Sequence, residues 1–190
     1  LHGLDGMPTL TTLLTRLNKL DPDELRILWA FSVVCVETNQ TTMVLILNYL
    51  DWQTVNGDRL SMLMAKPLRD KLLKQQLLVP VRGKLQCARQ PPEILARQAA
   101  QQGVYEELAN AAARMVPLGQ NRYDYGFSGE APIDSVRLIR DNLYLGDEQG
   151  LQRALQNVRY EDHSYVKELV GICTNPFDAN WFAGVSQAVQ

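Results

Sequence analysis

The chain has 190 residues, 46% of them apolar and 21% charged, with a formal net charge of −2 at pH 7. That is apolar material for one medium-sized globular domain or two small ones, and too little charge for a solvated coil. No stretch approaches the roughly 20 apolar residues of a bilayer span. The two histidines, His2 and His163, and the separated cysteines Cys35, Cys87 and Cys173 offer no metal-ligand or redox spacing, so no metal and a reducing, cytoplasmic setting are expected.

Residues 1–6 hold two glycines and no periodicity; they are expected to be a scar of expression, with Met7 as initiator. The Thr/Leu mixture after Met7 is interrupted by Arg16 and Lys19 and does not read as a signal peptide. Asp21, Pro22 and Asp23 open a helix: a capping carboxylate, a first-turn proline and negative charge at the positive end of the dipole. Leu25, Leu28, Trp29, Ser32 and Val33 form its core stripe. Thr41 and Thr42 are expected to cap a second helix, whose Leu45, Leu47, Tyr49 and Leu50 are apolar almost all round and so deeply buried. After a turn at Asn56 and Gly57, Asp58 is expected to start a third helical region with Leu60, Leu63, Met64, Leu68 and Leu72 at helical spacing, kinked or split by Pro67.

The period then changes. Residues 77–87 read as a short strand, a turn at Arg82 and Gly83, and a second short strand. Beyond Pro91 and Pro92 the pattern is helical again: 93–102 and 104–115, broken by Gly103, then 133–145 and 148–158, broken by Gly146 and capped by Asp147. A further helix carries Tyr165, Val166, Leu169, Val170 and Ile172, and Asp178 caps a last one with Trp181, Phe182 and Val185. That last helix is expected to lack a packing partner, as in a chain cut from something longer. Between the helical pairs, residues 117–134 read as a loop bearing Tyr123, Tyr125 and Phe127. These rings either form a recognition surface or, the plainer reading, tuck back onto the helices. Tyr123, Tyr125, Phe127, Trp181 and Phe182 are thus the candidate partner-binding residues.

The fold expected is mainly α: a winged-helix domain of three helices plus a β-hairpin over 7–90, then α-helical hairpins over 91–190. Charge divides along the same line. Up to residue 92 eleven lysines and arginines oppose eight carboxylates; beyond it eight oppose thirteen. Residues 59–89 hold Arg59, Lys66, Arg69, Lys71, Lys74, Arg82, Lys84 and Arg89 against Asp70 alone. In a winged helix the third helix can enter a major groove while the hairpin lies along the phosphates. Lys66, Arg69, Lys71 and Lys74 would sit on or beside the presented helix, and Arg82 and Lys84 would flank the wing turn. Such contacts neutralise phosphates without reading bases, so binding would be non-specific and salt-sensitive. Gln75 and Gln76 are thin material for base readout. The plainer reading is that long basic side chains merely cover a helix surface, and that the winged helix contacts protein.

Catalytic signatures are missing. Gly83 and Lys84 lack the glycine and hydroxyl of a P-loop, and Gly126 to Gly129 fall one residue short of a nucleophile elbow. Glu106 with Glu107, and Asp147 with Glu148, sit at helix starts where capping explains them, and His163 is expected in a loop or at a helix start. No enzyme, no cofactor and no membrane partner are expected.

The run 68–87, a leucine-spaced basic helix, a Leu-Leu-Val strand, a glycine turn and a second strand, resembles winged helices of large bacterial multidomain ATPases. The pair 92–116 and the Leu-Tyr-Leu-Gly-Asp-Glu-Gln-Gly segment from Leu143 to Gly150 are similar to the helical-repeat modules that follow them. With the Asn-Pro-Phe-Asp-Ala-Asn-Trp segment from Asn175 to Trp181, the chain after Met7 resembles the N-terminal region of bacterial Swi2/Snf2-type helicases. The resemblance implies a non-catalytic accessory module whose ATPase motor lies downstream, and it carries over no catalytic residue. The expected role is phosphate contact with DNA through the basic face. The alternative is a scaffold docking on a protein partner or on the parent protein's motor.

Overall fold

The computed structural model describes residues 10–88, 91–117, 133–158 and 164–185. Among them are ten helices and one two-stranded antiparallel sheet, so the chain is mainly α. Helix α1 (Leu10–Leu17), which the Thr/Leu pattern did not announce, buries Leu13 and Leu17. Helix α2 (Pro22–Val34) starts as its sequence dictates. The Asp21 side chain accepts from the Glu24 amide and Glu24 accepts from the Asp21 amide, a reciprocal capping box with proline at the first turn.

Helix α3 (Gln40–Tyr49) departs from expectation in two ways. Its cap is Asn39, which accepts from the Thr42 amide at 2.7 Å, so Thr41 and Thr42 lie inside the helix. Its burial is one-sided, since Met43, Val44, Ile46 and Leu47 enter the core while Leu45 and Tyr49 are exposed. Helix α4 (Met62–Lys74) begins after Ser61, not at Asp58. Residues 51–60 form a loop, closed by a Gln53–Arg59 bridge and by the Thr54 amide donating to the Asp58 carbonyl. Pro67 does not split α4. The amide it lacks would have served the carbonyl of Leu63, which stands on the solvent side of the helix, so the lost bond falls outside the core.

Strands β1 (Leu78–Val81) and β2 (Lys84–Cys87) pair as a hairpin with Val81 opposite Lys84. Its two turn residues, Arg82 (φ 49°) and Gly83 (φ 78°), both take the left-handed conformation that matches the twist of the strands. On its other side Leu85 exchanges both backbone hydrogen bonds with Thr38, at 2.8 and 2.9 Å, which makes β2 central and β1 the edge. Pro80 faces Leu85, whose amide and carbonyl are spent on Thr38, so the missing proline amide costs the ladder nothing.

The remaining helices are α5 (Pro91–Gln101), α6 (Tyr105–Met115), α7 (Ile133–Leu145), α8 (Glu148–Val158), α9 (Ser164–Thr174) and α10 (Ala179–Ala183). Helices α5 and α6 pack on α2, α6 also packs on α3, and a cluster of buried apolar residues runs from Leu13 to Cys173. Apolar packing therefore crosses residue 90. The start of α8 lies close against α7: a Cβ at Gly150 would sit 2.0 Å from the Asn142 side-chain oxygen. Among the described residues no helix is long and apolar enough to cross a membrane.

Candidate nucleic-acid interface

Helix α4 is anchored at both ends and along one side. Ser61 Oγ accepts from the Met64 amide at its start, and Arg16 donates to the Gln75 carbonyl at its end, placing a cation where the helix dipole is negative. Lys71 turns toward α2 and pairs with Glu24, which is fully buried, and at 3.6 Å with Asp21. The hydrogen bond to Glu24 raises the pKa of the Lys71 ammonium. Arg69 donates to Gln40 Oε1 at 2.7 Å and to Asp70, while the Gln40 amide donates to the Met62 carbonyl, so the start of α3 is stitched to α4.

The seven candidate cations therefore divide. Lys71 and Arg69 hold α4 in place, Arg59 pairs with Asp51 in the 51–60 loop, and Arg82 lies 3.8 Å from Glu37 at the hairpin tip. Lys66, Lys74 and Lys84 are exposed, and no carboxylate among the described residues pairs with them. Lys66 and Lys74 lie eight residues apart on α4, two steps of four, and so share one outward ridge. Asp70 stands between them, with Arg69 on its Oδ1 oxygen.

The aromatic candidates fare differently. Tyr123, Tyr125 and Phe127 lie outside the described residues. The last helix has a packing partner after all. Trp181 stacks 4.2 Å from the Arg97 guanidinium and 5.6 Å from the Tyr144 ring, and Phe182 packs 5.6 Å from Phe177. Both side chains are half-buried within their own chain.

What sequence reasoning missed is a buried polar cluster among α2, α5, α6 and α7. Arg97, Arg137 and Arg140 are 3%, 2% and 1% exposed. Arg140, on α7, donates to Glu93 of α5 at 3.0 Å and to the Ser32 carbonyl of α2 at 2.9 Å, and Tyr144 donates to the other Glu93 oxygen. Tyr105 donates to Asp141 at 2.9 Å, and Arg137 lies 3.7 Å from the same carboxylate. Arg97 donates to the carbonyls of Ile172, Cys173 and Pro176, closing the turn before α10. Burial pushes the Tyr105 and Tyr144 hydroxyls well above the ordinary tyrosine range and raises Asp141. It also pushes the Cys35 and Cys87 thiols up, against the lowering effect of Arg140, so both are held as neutral thiols rather than nucleophiles. The signal available in sequence was Arg137 and Arg140, three apart, flanking Ile139 on an otherwise apolar helix face.

A groove of about 490 Å³ lies between α1, α5 and the turn before α10, lined by Leu10, Leu14, Ile94, Gln98, Arg97 and Phe177 among others. Among the described residues no group of three or more His, Cys, Asp or Glu is placed to hold a metal ion. No family model, curated protein or solved structure matches the chain.

Proposed function

We propose that the chain is a non-catalytic accessory module that contacts DNA phosphates through a winged-helix face made by α4 and the β1–β2 hairpin. The observation that carries this is the order α2, Thr38, α3, α4, β1, β2, with Thr38 paired to the hairpin and Lys66, Lys74 and Lys84 left exposed on its last helix and its tip. This order supports reading the segment as a winged helix, and exposed lysines would exchange bound counterions for phosphate. On the resemblance to Swi2/Snf2-type helicases, such a module would work beside a DNA-dependent ATPase motor.

The test is fluorescence anisotropy with a labelled DNA duplex over a salt series. The wild-type chain should bind at about 50 mM salt and weaken steeply as salt rises. Substituting Lys66, Lys74 and Lys84 together with alanine should flatten the logarithmic salt slope by up to about 2.7. No binding at low salt, or a slope unchanged by the triple substitution, would remove the proposal. A scaffold role is the second reading, supported by the exposed Leu10, Leu14 and Phe177 around the groove. It predicts that a separately produced motor region co-migrates with this chain on gel filtration and that Leu14→Asp abolishes the association.

A further inference from the structure

Resting on the DNA reading above, the outward ridge of α4 points to how that helix meets a duplex. Leu63, its second residue, is 83% exposed, the most exposed large apolar side chain among the described residues, and its neighbour Met62 is 43% exposed. One isolated exposed leucine would mean nothing. Leu63, however, shares the ridge with Lys66 three positions on and with the exposed Pro67 four positions on, so an apolar tip leads the helix and cations follow it. In helices that dock in the major groove, the N-terminal residues reach the base edges. Leu63 offers those edges no hydrogen-bonding group, and Met62 only a thioether sulfur, a weak acceptor. Only one feature of the major groove rewards an apolar side chain: the C5 methyl of thymine.

We infer that Leu63 is the base-reading tip of α4, packing on thymine methyl groups of duplex DNA while Lys66 and Lys74 take phosphates. The ligand class this selects is double-stranded B-form DNA with thymine in the major groove. Duplex RNA is excluded twice over, because its major groove is too deep and narrow for side chains to read and uracil has no methyl group.

The experiment compares a thymine-rich DNA duplex with the same duplex in which every thymine is replaced by deoxyuridine, so that phosphates and length are unchanged and only methyl groups are lost. The wild-type chain should bind the thymine duplex about fourfold more tightly for each methyl buried, the factor that one buried carbon group commonly supplies. Leu63→Ala, at an exposed site, should keep the circular dichroism spectrum and the salt slope while losing that discrimination. Lys66→Ala with Lys74→Ala should weaken both duplexes alike and keep it. Equal wild-type affinity for the two duplexes, discrimination surviving in Leu63→Ala, or duplex RNA binding as tightly as DNA would each overturn the inference while leaving phosphate contact standing. No binding to any duplex would instead overturn the reading on which it rests.

Discussion

Removing the charge of Glu93 tests whether the buried cluster holds α7 to the rest of the molecule. Glu93→Gln keeps the shape and the acceptor for Arg140, and Tyr144 can still hydrogen-bond the amide, so hydrogen-bond count barely changes. What changes is that the Arg140 guanidinium, 1% exposed, loses its closest counter-charge, held at 3.0 Å. Breaking a buried ion pair by deleting one partner typically costs about 3–5 kcal/mol, because the remaining charge stays desolvated. The lower end applies here, since Arg140 also donates to the Ser32 carbonyl and the Asp141 carboxylate lies nearby. For a chain of this size that is a fall in thermal midpoint on the order of 10 °C. Urea unfolding followed by circular dichroism measures it, with an unchanged m-value required for the comparison. The double variant Glu93→Leu with Arg140→Met removes both charges and should recover much of the loss, as replaced buried pairs often do. A loss below about 1 kcal/mol in Glu93→Gln, or a double variant worse than the sum of its singles, would refute the assignment of this pair as a mutually dependent buried ion pair.

Three further outcomes follow from the same contacts. Tyr105→Phe deletes a buried hydrogen bond to the Asp141 carboxylate and should cost about 1.5–3 kcal/mol by urea unfolding. Glu24→Ala removes half of the α2 capping box and the carboxylate that holds Lys71, so it should cost about 1–2 kcal/mol while DNA affinity, read by anisotropy, holds or rises as Lys71 is released. Because burial raises the Cys87 thiol above the ordinary cysteine range, disulfide-reagent labelling of Cys87 in the native chain should stay slow through pH 8 and accelerate only in denaturant; fast native labelling of Cys87 at pH 8 would contradict its burial.

The elements legible in the sequence were those whose ends are written locally. Asp21 with Pro22, Asp147 and Asp178 each cap the helix expected of them, and Arg82 with Gly83 make the hairpin turn, because capping and left-handed turns depend on a few adjacent residues. Misreadings were of two kinds: at α3 and α4 a neighbouring residue took the cap, and elsewhere a distant partner decides. Asp58 resembles a cap but is engaged by Thr54 in a loop closed by the Gln53–Arg59 bridge, and Ser61 takes the role instead. Trp181 looked unpartnered because its partners, Arg97 and Tyr144, lie more than thirty residues away in sequence. The spacing of Arg137 and Arg140 hinted at the buried arginines but not at their partners: nothing beside Arg140 in sequence announces that Glu93 and the Ser32 carbonyl will close around it.

That lesson bears on the interface, because a count of charges along a sequence does not distinguish cations offered to solvent from cations already spent. If all seven candidate residues released counterions on binding, the logarithmic salt slope would be about −6; if only Lys66, Lys74 and Lys84 did so, it would be about −3. The contacts favour the smaller value. Lys71 would have to abandon a fully buried glutamate, and Arg69 would have to let go of Gln40 and loosen the seam between α3 and α4. Arg59 and Arg82 face weaker ties on exposed ground and set the margin between the two figures. A measured slope near −6 would mean that α4 rearranges on binding, whereas one near −3 would mean that it docks as it stands.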